Sequence, residues 1–491
     1  MSETIKTLIA AAEAYPFAKV GGLADVVGSL PKPLRKKGID IRVIVPLYDK
    51  IDREKFGIKP TNIEMDIQMA GRTEKGKIWE TVFPGTDIPV YFVECAAYFG
   101  RPGIYTDPDT GEAFPDDGER FVFFSKAVLE FLNIIDWSPD LVHSNDYQTG
   151  LIPAMIKILE PENQIGTLYS IHNLAYQGRF DMDLIDYIGF GKNLSYPMGP
   201  FEFFGKLNFM KIGILFSDIV NTVSPTYAEE IKSSPEYGYG LEGVLSSCSD
   251  KLFGVLNGID ETVWNPEIDE FIPYNYNSSD LSGKRMCKAE LLKEAGLPYD
   301  NLDIPIIGVI SRLADQKGFD ILIPIMEKIL EENVYFILLG TGNKKYERAF
   351  KELSVKYPKK LAAIIDFRGP LAHLIEAGSD MFLMPSKYEP CGLNQMYSMA
   401  YGTVPVVRKT GGLADTVIPA DFKEDTGTGF LFEKYESNAL LNAIKKALSS
   451  FGDQNSWRKL QNRCMTMDFG WDVSADKYIE LYRQALAAER W

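Results

Sequence analysis

Short apolar runs alternate with longer segments whose apolar residues recur every three or four positions. In the first half the runs are Thr7–Ala11, Ile39–Pro46, Val90–Glu94, Leu141–His143, Thr167–His172, Ile219–Val223 and Leu252–Leu256. Helical spacing appears between them, as at Arg120–Ile135 and Gly150–Leu159. Strands buried on both faces read as unbroken Val/Ile/Leu runs, so this alternation predicts parallel sheets flanked by helices. A second series begins after Asn257-Gly258-Ile259-Asp260 and a polar, Asn/Ser-rich stretch at Tyr274–Gly283. Its expected strands are Ile304–Ile310, Tyr335–Leu339, Ala362–Phe367, Met381–Pro385 and Thr403–Val407, with helices at Gly318–Glu332 and Asn394–Tyr401. A last helix is expected at Ser474–Ala488, after Met467-Asp468-Phe469-Gly470-Trp471.

At 491 residues the chain exceeds what one hydrophobic core supports, in line with two α/β domains. The net charge of -16, with no run of Lys and Arg, argues against nucleic acid or an anionic membrane as the main partner. A small anionic ligand stays compatible, provided a few cations gather in one cleft. The start, Met1-Ser2-Glu3-Thr4-Ile5-Lys6-Thr7, shows no leader pattern, and no apolar segment reaches the roughly 20 residues of a membrane span. Five widely separated cysteines give neither a disulfide framework nor a structural zinc site, and the expected location is the cytoplasm.

One segment echoes another. Lys19-Val20-Gly21-Gly22-Leu23-Ala24-Asp25-Val26-Val27 returns as Lys409-Thr410-Gly411-Gly412-Leu413-Ala414-Asp415-Thr416-Val417. Each follows a strand and opens a helix. Either copy alone is an ordinary strand-to-helix turn. Two matched copies, one per domain, suggest paired loops whose backbone N–H groups could receive a diphosphate.

Other candidates sit at strand ends, where open α/β sheets bind their ligands. Arg312 ends the first strand of the second half and Lys317 precedes a helix; the pair could stabilise a departing diphosphate. Glu389, in Glu389-Pro390-Cys391-Gly392-Leu393-Asn394-Gln395, could accept hydrogen bonds from sugar hydroxyls, or could merely be a favourable carboxylate at a helix start. Cys391 reads as a small buried filler. Of three histidines, His172 stands out in His172-Asn173-Leu174-Ala175-Tyr176-Gln177-Gly178, and Asp146 holds a similar strand end. His373 reads as structural or solvent-facing. No Ser/His/Asp triad, zinc-protease helix or aspartate-rich metal site is present.

Together these motifs resemble the bacterial glycogen synthase and plant starch synthase family. The resemblance spans nearly the whole chain and includes Val223-Ser224-Pro225-Thr226-Tyr227-Ala228, Tyr237-Gly238-Tyr239-Gly240-Leu241-Glu242-Gly243 and Leu256-Asn257-Gly258-Ile259-Asp260. It implies the GT-B fold: two Rossmann-like domains facing a central cleft, residues 1–256 on the acceptor side and 257–468 on the nucleotide-sugar side. Residues 469–491 would form a helix returning to the first domain. Asp146, His172, Arg312, Lys317 and Glu389 would serve catalysis. Lys19, Gly21, Gly22, Asn257, Phe367, Cys391, Gly392, Leu393, Thr410 and Gly411 would bind the donor, with Phe367 stacking on adenine. Tyr105, Asp25, Asn173 and Tyr176 would line the glucose and acceptor. The implied activity is retaining transfer of glucose from ADP-glucose to the non-reducing end of an α-1,4-glucan (glycogen, starch or a malto-oligosaccharide), without metal or cofactor. The alternative is a non-catalytic glucan-binding or regulatory protein on the same fold. The chain departs from the family at Asn145-Asp146-Tyr147-Gln148, where relatives often carry His/Asn-Asp-Trp-His, and at Asp366-Phe367-Arg368-Gly369. Oligomeric state is not assigned by the sequence.

Overall fold

A computed structural model describes residues 4–160, 162, 164–191, 194 and 196–488. The chain divides into two compact units, Met1–Gly258 with Trp471–Trp491, and Ile259–Gly470.

The first unit carries β1 (Lys6–Ala10), β2 (Asp40–Pro46), β3 (Lys59–Met69), β4 (Arg72–Val82), β5 (Pro89–Glu94), β6 (Leu141–Asn145) and β7 (Gly166–Ile171). Then come β8 (Arg179–Phe180), β9 (Glu202–Phe203), β10 (Lys206–Asn208), β11 (Ile219–Thr222) and β12 (Leu252–Gly254). Its main sheet runs β12-β11-β7-β6-β1-β2-β5-β4-β3, while β8, β10 and β9 form a small antiparallel sheet. All main-sheet pairings are parallel except those of β4 with β5 and β3. The chain runs from β1 to β2, passes to the edge strand β3, returns through β4 to β5, then crosses to β6 and continues outward on the other side of β1. That reversal falls between β1 and β6.

The second unit carries β13 (Ile306–Ile310), β14 (Tyr335–Leu339), β15 (Leu361–Ile364), β16 (Met381–Met384), β17 (Val404–Arg408) and β18 (Phe430–Phe432). Its order, β15-β14-β13-β16-β17-β18, is that of a dinucleotide-binding sheet, parallel throughout. Here the reversal falls between β13 and β16. Each unit encloses its own apolar core of strand and helix residues.

Three elements differ from their sequence expectation. The β3–β4 hairpin was absent from it because its two-residue turn is Ala70-Gly71, both at positive φ (46° and 84°), not the usual Asn-Gly. The helix expected over Gly318–Glu332 is broken into Phe319–Leu322, a 3₁₀ turn at Ile323–Ile325 and Met326–Glu331. Pro324 lacks the N–H that a continuous helix requires. The strand expected over Ala362–Phe367 ends at Ile364, because Asp366 accepts a hydrogen bond from the Phe367 N–H (2.8 Å) and pairs with Arg368, closing a local turn.

The last helix, Trp471–Ala487, belongs to the first unit and fixes its most polar strand. All of β6 is buried although it ends in His143, Ser144 and Asn145. The His143 ring is bracketed by the Tyr482 hydroxyl (Nδ1, 3.0 Å) and Ser170 (Nε2, 2.8 Å). Asn221 donates to the Tyr478 hydroxyl (3.1 Å), and Ser474 donates to the Leu256 carbonyl (2.6 Å). Burial holds His143 neutral, with a pKa lowered to about 3. Tyr482→Phe would leave His143 Nδ1 buried without a partner, a loss of about 1–3 kcal/mol. We expect a lower urea midpoint for the first unit at unchanged slope; an unchanged midpoint would remove the helix from this role.

Candidate functional site

The carboxyl end of β6 sits at the reversal of the first sheet. Asn145 donates through Nδ2 to the carbonyls of Ala10 (3.1 Å) and His143 (3.2 Å). Those two acceptors fix the amide, so its Oδ1 is the atom 2.9 Å from His172 Nε2. An oxygen that only accepts requires Nε2 to carry the proton. Nδ1 is then a bare lone pair, and it is buried with no partner among the described residues. Burial lowers the His172 pKa to about 4, so the imidazole is neutral near pH 7.

Asp146 follows at φ 55° and ψ -178°, a conformation that glycine tolerates and side-chain-bearing residues rarely adopt. Its Oδ1 accepts the His172 N–H at 2.8 Å, and the Asn173 N–H also bonds it. Some of the residue's surface stays open, yet desolvation of the carboxyl group raises its pKa to about 7, the two amides opposing the rise. This strand end therefore presents a neutral acceptor nitrogen beside a carboxyl group poised near neutrality. Asn173 turns its own side chain inward to the Ala175 N–H (3.1 Å), while Tyr176 is half exposed. Tyr176, with Tyr147, Arg179 and Tyr239, lines an open groove of about 390 Å³. Asn257 is buried, and its Oδ1 has no partner among the described residues.

The loop after β1 approaches from the same sheet end. Lys19 Nζ pairs with Asp25 at 2.6 Å, and burial raises the Asp25 pKa against that pairing. Gly21 and Gly22 face open space, so another molecule can come close to their backbone. The Val20 and Gly21 N–H groups, however, both donate to the carboxylate of Glu13, whose other oxygen accepts from the Tyr105 hydroxyl at 2.6 Å.

In the second unit, the ends of β13 and β16 bring Arg312, Lys317 and Glu389 to the reversal of that sheet. Lys317 Nζ lies 2.6 Å from Glu389 Oε2, which also accepts from Ser386 Oγ at 2.9 Å. The Glu389 side chain is nearly buried, and its Oε1 makes no hydrogen bond among the described residues. It is no helix-start carboxylate, because the next helix begins only at Asn394. Arg312 is exposed and forms no ion pair among the described residues.

The two Gly-Gly copies share their residues but differ in what surrounds them. The Gly412 N–H donates to the carbonyls of Glu389 (3.1 Å) and Pro390 (3.2 Å), so it is spent inside the protein. Gly411 has φ 45°, and a Cβ there would collide with the Glu389 carbonyl. The second copy, with buried Thr410, packs against the segment carrying Glu389, Cys391, Gly392 and Leu393. Cys391 is buried, as expected of a filler, and Gly392 sits at φ 70°, suited to glycine. Phe367 lies beyond β15, almost fully exposed. His373 is structural: it is buried, with Nδ1 2.8 Å from Asp269, and stacks flat on Trp264.

Sequence reasoning missed Glu13, Asn145 and Ser386. Only Glu13 carried a usable signal, as the first carboxylate past the strand at the sheet reversal. Among the described residues no group of three or more His, Cys, Asp or Glu side chains is placed to hold a metal, and no helix is long and apolar enough to cross a membrane.

Comparison with known proteins accords with this geometry. Residues 6–247 match the starch synthase catalytic domain, and residues 300–463 match the glycosyl transferases group 1 domain. A glycogen synthase of Thermotoga maritima is 44% identical over 492 residues, covering 98% of this chain and 99% of the relative. One from Thermosipho melanesiensis is 45% identical over 488 residues, with the same coverage. Among solved structures, the catalytic domain of starch synthase IV from Arabidopsis thaliana, bound to ADP and acarbose, superposes with a TM-score of 0.90 at 34% identity, covering 99% of this chain and all of that one. A sucrose-phosphate synthase from Thermosynechococcus elongatus, 17% identical with a TM-score of 0.60, shares the fold. The architecture is GT-B, and the chain belongs to the glycogen/starch synthase family of glycosyltransferases.

Proposed function

We propose that this glycosyltransferase lengthens an α-1,4-glucan at its non-reducing end, taking glucose from ADP-glucose with retention of configuration and without a metal ion. The observation that carries the reading is the pair of cations that follow β13: Arg312, without an ion pair among the described residues, and Lys317, held by Glu389 at 2.6 Å. Such charges stabilise a leaving diphosphate when they are in place before the reaction begins. ADP as the nucleotide is supported by the ADP and acarbose bound to the similar plant catalytic domain. Five buried free thiols suit a reducing cytoplasm.

The reaction forms a bond from the acceptor hydroxyl oxygen to the anomeric carbon and breaks the bond from that carbon to the diphosphate oxygen. The hydroxyl proton passes to the departing diphosphate. Arg312 and Lys317 take up the growing negative charge, and Glu389 Oε1 accepts from glucose hydroxyls. His172 Nδ1 and Asp146 accept hydrogen bonds from the sugar. A neutral imidazole suits this work, because an imidazolium would have no lone pair to offer. Incubation with ADP-glucose and a defined malto-oligosaccharide should yield products longer by whole hexose units, α-linked by NMR, with undiminished rates in EDTA. Products with a β linkage, or loss of activity in EDTA, would refute the retaining or the metal-free part of the reading respectively.

Two substitutions probe the residues. Lys317→Ala should lower kcat by about 10²–10³ at retained circular dichroism. Adding Glu389→Ala should cost less than it does alone, because the share of its effect that comes from holding Lys317 is already lost, while its Oε1 contact to glucose hydroxyls is lost in addition. Fully multiplying losses in the double variant would show that Glu389 does not position Lys317.

Asp146 links activity to stability through pH. Its folded pKa near 7 lies above its ordinary value of 3.8, so its favourable contribution is present at low pH and fades as pH rises through 7. Asp146→Asn should therefore raise the melting temperature relative to wild type more at pH 8 than at pH 5. If the ionised carboxylate is the working form, wild-type kcat/KM should climb up to about pH 7, and the variant should lack that limb. A melting difference independent of pH would contradict the burial argument.

A further inference from the structure

Glu13 stands three residues beyond β1, at the reversal of the first sheet, and the roles assigned above leave it unused. It is buried, with 3% of its surface exposed. Every hydrogen bond it makes is accepted from a group in or beside the site. Oε2 takes the N–H groups of Val20 and Gly21, the latter at 3.0 Å, and Oε1 takes the Tyr105 hydroxyl at 2.6 Å. The residue before Tyr105 is tied down as well: the Ile104 carbonyl accepts from the fully buried Arg120 at 2.8 Å. A chain of contacts thus runs from the long helix Asp117–Ile134 through Tyr105 and Glu13 to the glycine loop.

A carboxylate in this position does two physical jobs. It satisfies two adjacent amides that would otherwise point at one spot with nothing to bind, and it fixes the loop in a single conformation despite two glycines, which are free to adopt many. It also determines what the loop can offer a ligand. With the Val20 and Gly21 amides spent, the donors left on the loop among the described residues are the Lys19 and Gly22 N–H groups and the Lys19 ammonium, itself held by Asp25, and Gly22 faces open space.

We propose that Glu13 is a positioning residue of the transfer site: it holds the Lys19–Gly22 loop and Tyr105 in one arrangement, so that the loop meets the anionic donor through Gly22 and Lys19 alone. The kinetic side of this rests on the glucosyl-transfer reading; the structural side does not. Glu13 needs to touch neither the donor nor the acceptor.

The test uses the full chain with Glu13→Ala, Glu13→Gln and Glu13→Asp. Gln keeps an oxygen toward the amides and can donate to the Tyr105 hydroxyl oxygen, so it preserves the arrangement; Ala removes it; Asp falls one methylene short. Hydrogen exchange across residues 18–23, which needs no activity, should speed up at least about tenfold in Ala and stay near wild type in Gln. With ADP-glucose and a malto-oligosaccharide, kcat should fall about 100-fold in Ala and stay within about tenfold in Gln, with the KM for glucan little changed. Exchange unchanged in Ala together with kcat within threefold would overturn the proposal. So would a Gln variant as damaged as Ala in both readouts, since charge and not hydrogen-bond geometry would then be the requirement. If Ala fails to fold, Asp carries the test with the same expected direction in both readouts. If the wild type transfers no glucose, the functional reading fails, and the exchange comparison alone still decides whether Glu13 holds the loop.

Discussion

Parallel strands packed on both faces leave no water to satisfy polar side chains, so any polar residue near their ends must be bonded within the protein or left open for a ligand. The end of β6 is where this constraint governs the first unit. The carbonyls of Ala10 and His143 orient the Asn145 amide, Asn145 sets the tautomer of His172, and His172 offers its own N–H to Asp146. Each bond leaves the next group one choice. What that lattice leaves over, among the described residues, is the unpartnered His172 Nδ1 and whatever acceptor capacity Asp146 keeps beyond its two amide bonds. The positive φ of Asp146 and the desolvation of its carboxyl group are both unfavourable for folding, the pattern expected where structure is held in a working geometry at some cost in stability.

A second regularity concerns charge. Lys19 is held by Asp25 and Lys317 by Glu389, each pair at 2.6 Å. Both lysines stand next to glycine-bearing turns, and both are positioned by a carboxylate before any anion arrives. Arg312 is exposed and has no such partner among the described residues. A cation oriented in advance loses less freedom when it engages a diphosphate, which is where preorganised electrostatics gains its advantage over water.

Much of this was legible in the sequence. Parallel strands announced themselves as apolar runs, and Asp146, His172, Arg312, Lys317 and Glu389 stood at run ends, where sheet topology puts ligands. What stayed hidden was hidden for physical reasons. The β3–β4 hairpin turns on Ala70 at positive φ, which no propensity suggests. The position of Glu13 past the first strand was visible, but the hydroxyl it binds is 92 residues away, and its immediate neighbours say nothing of that. The two Gly-Gly copies share their residues but not their surroundings: one faces open space, the other is pressed against the Glu389 carbonyl. Sequence identity could not separate them, because the difference lies in what packs against the backbone.

The most direct measurement is nitrogen NMR of the protein labelled with ¹⁵N only at histidine, since there are three to assign and His143→Gln and His373→Gln variants identify the third. The lattice at the end of β6 requires His172 to be neutral from pH 5 to 8, protonated on Nε2, with Nδ1 showing the shift of an unprotonated nitrogen that moves when donor and glucan are added. A His172 that titrates near pH 6.5, or one that carries its proton on Nδ1, would contradict the arrangement from which the roles of Asn145, His172 and Asp146 were derived.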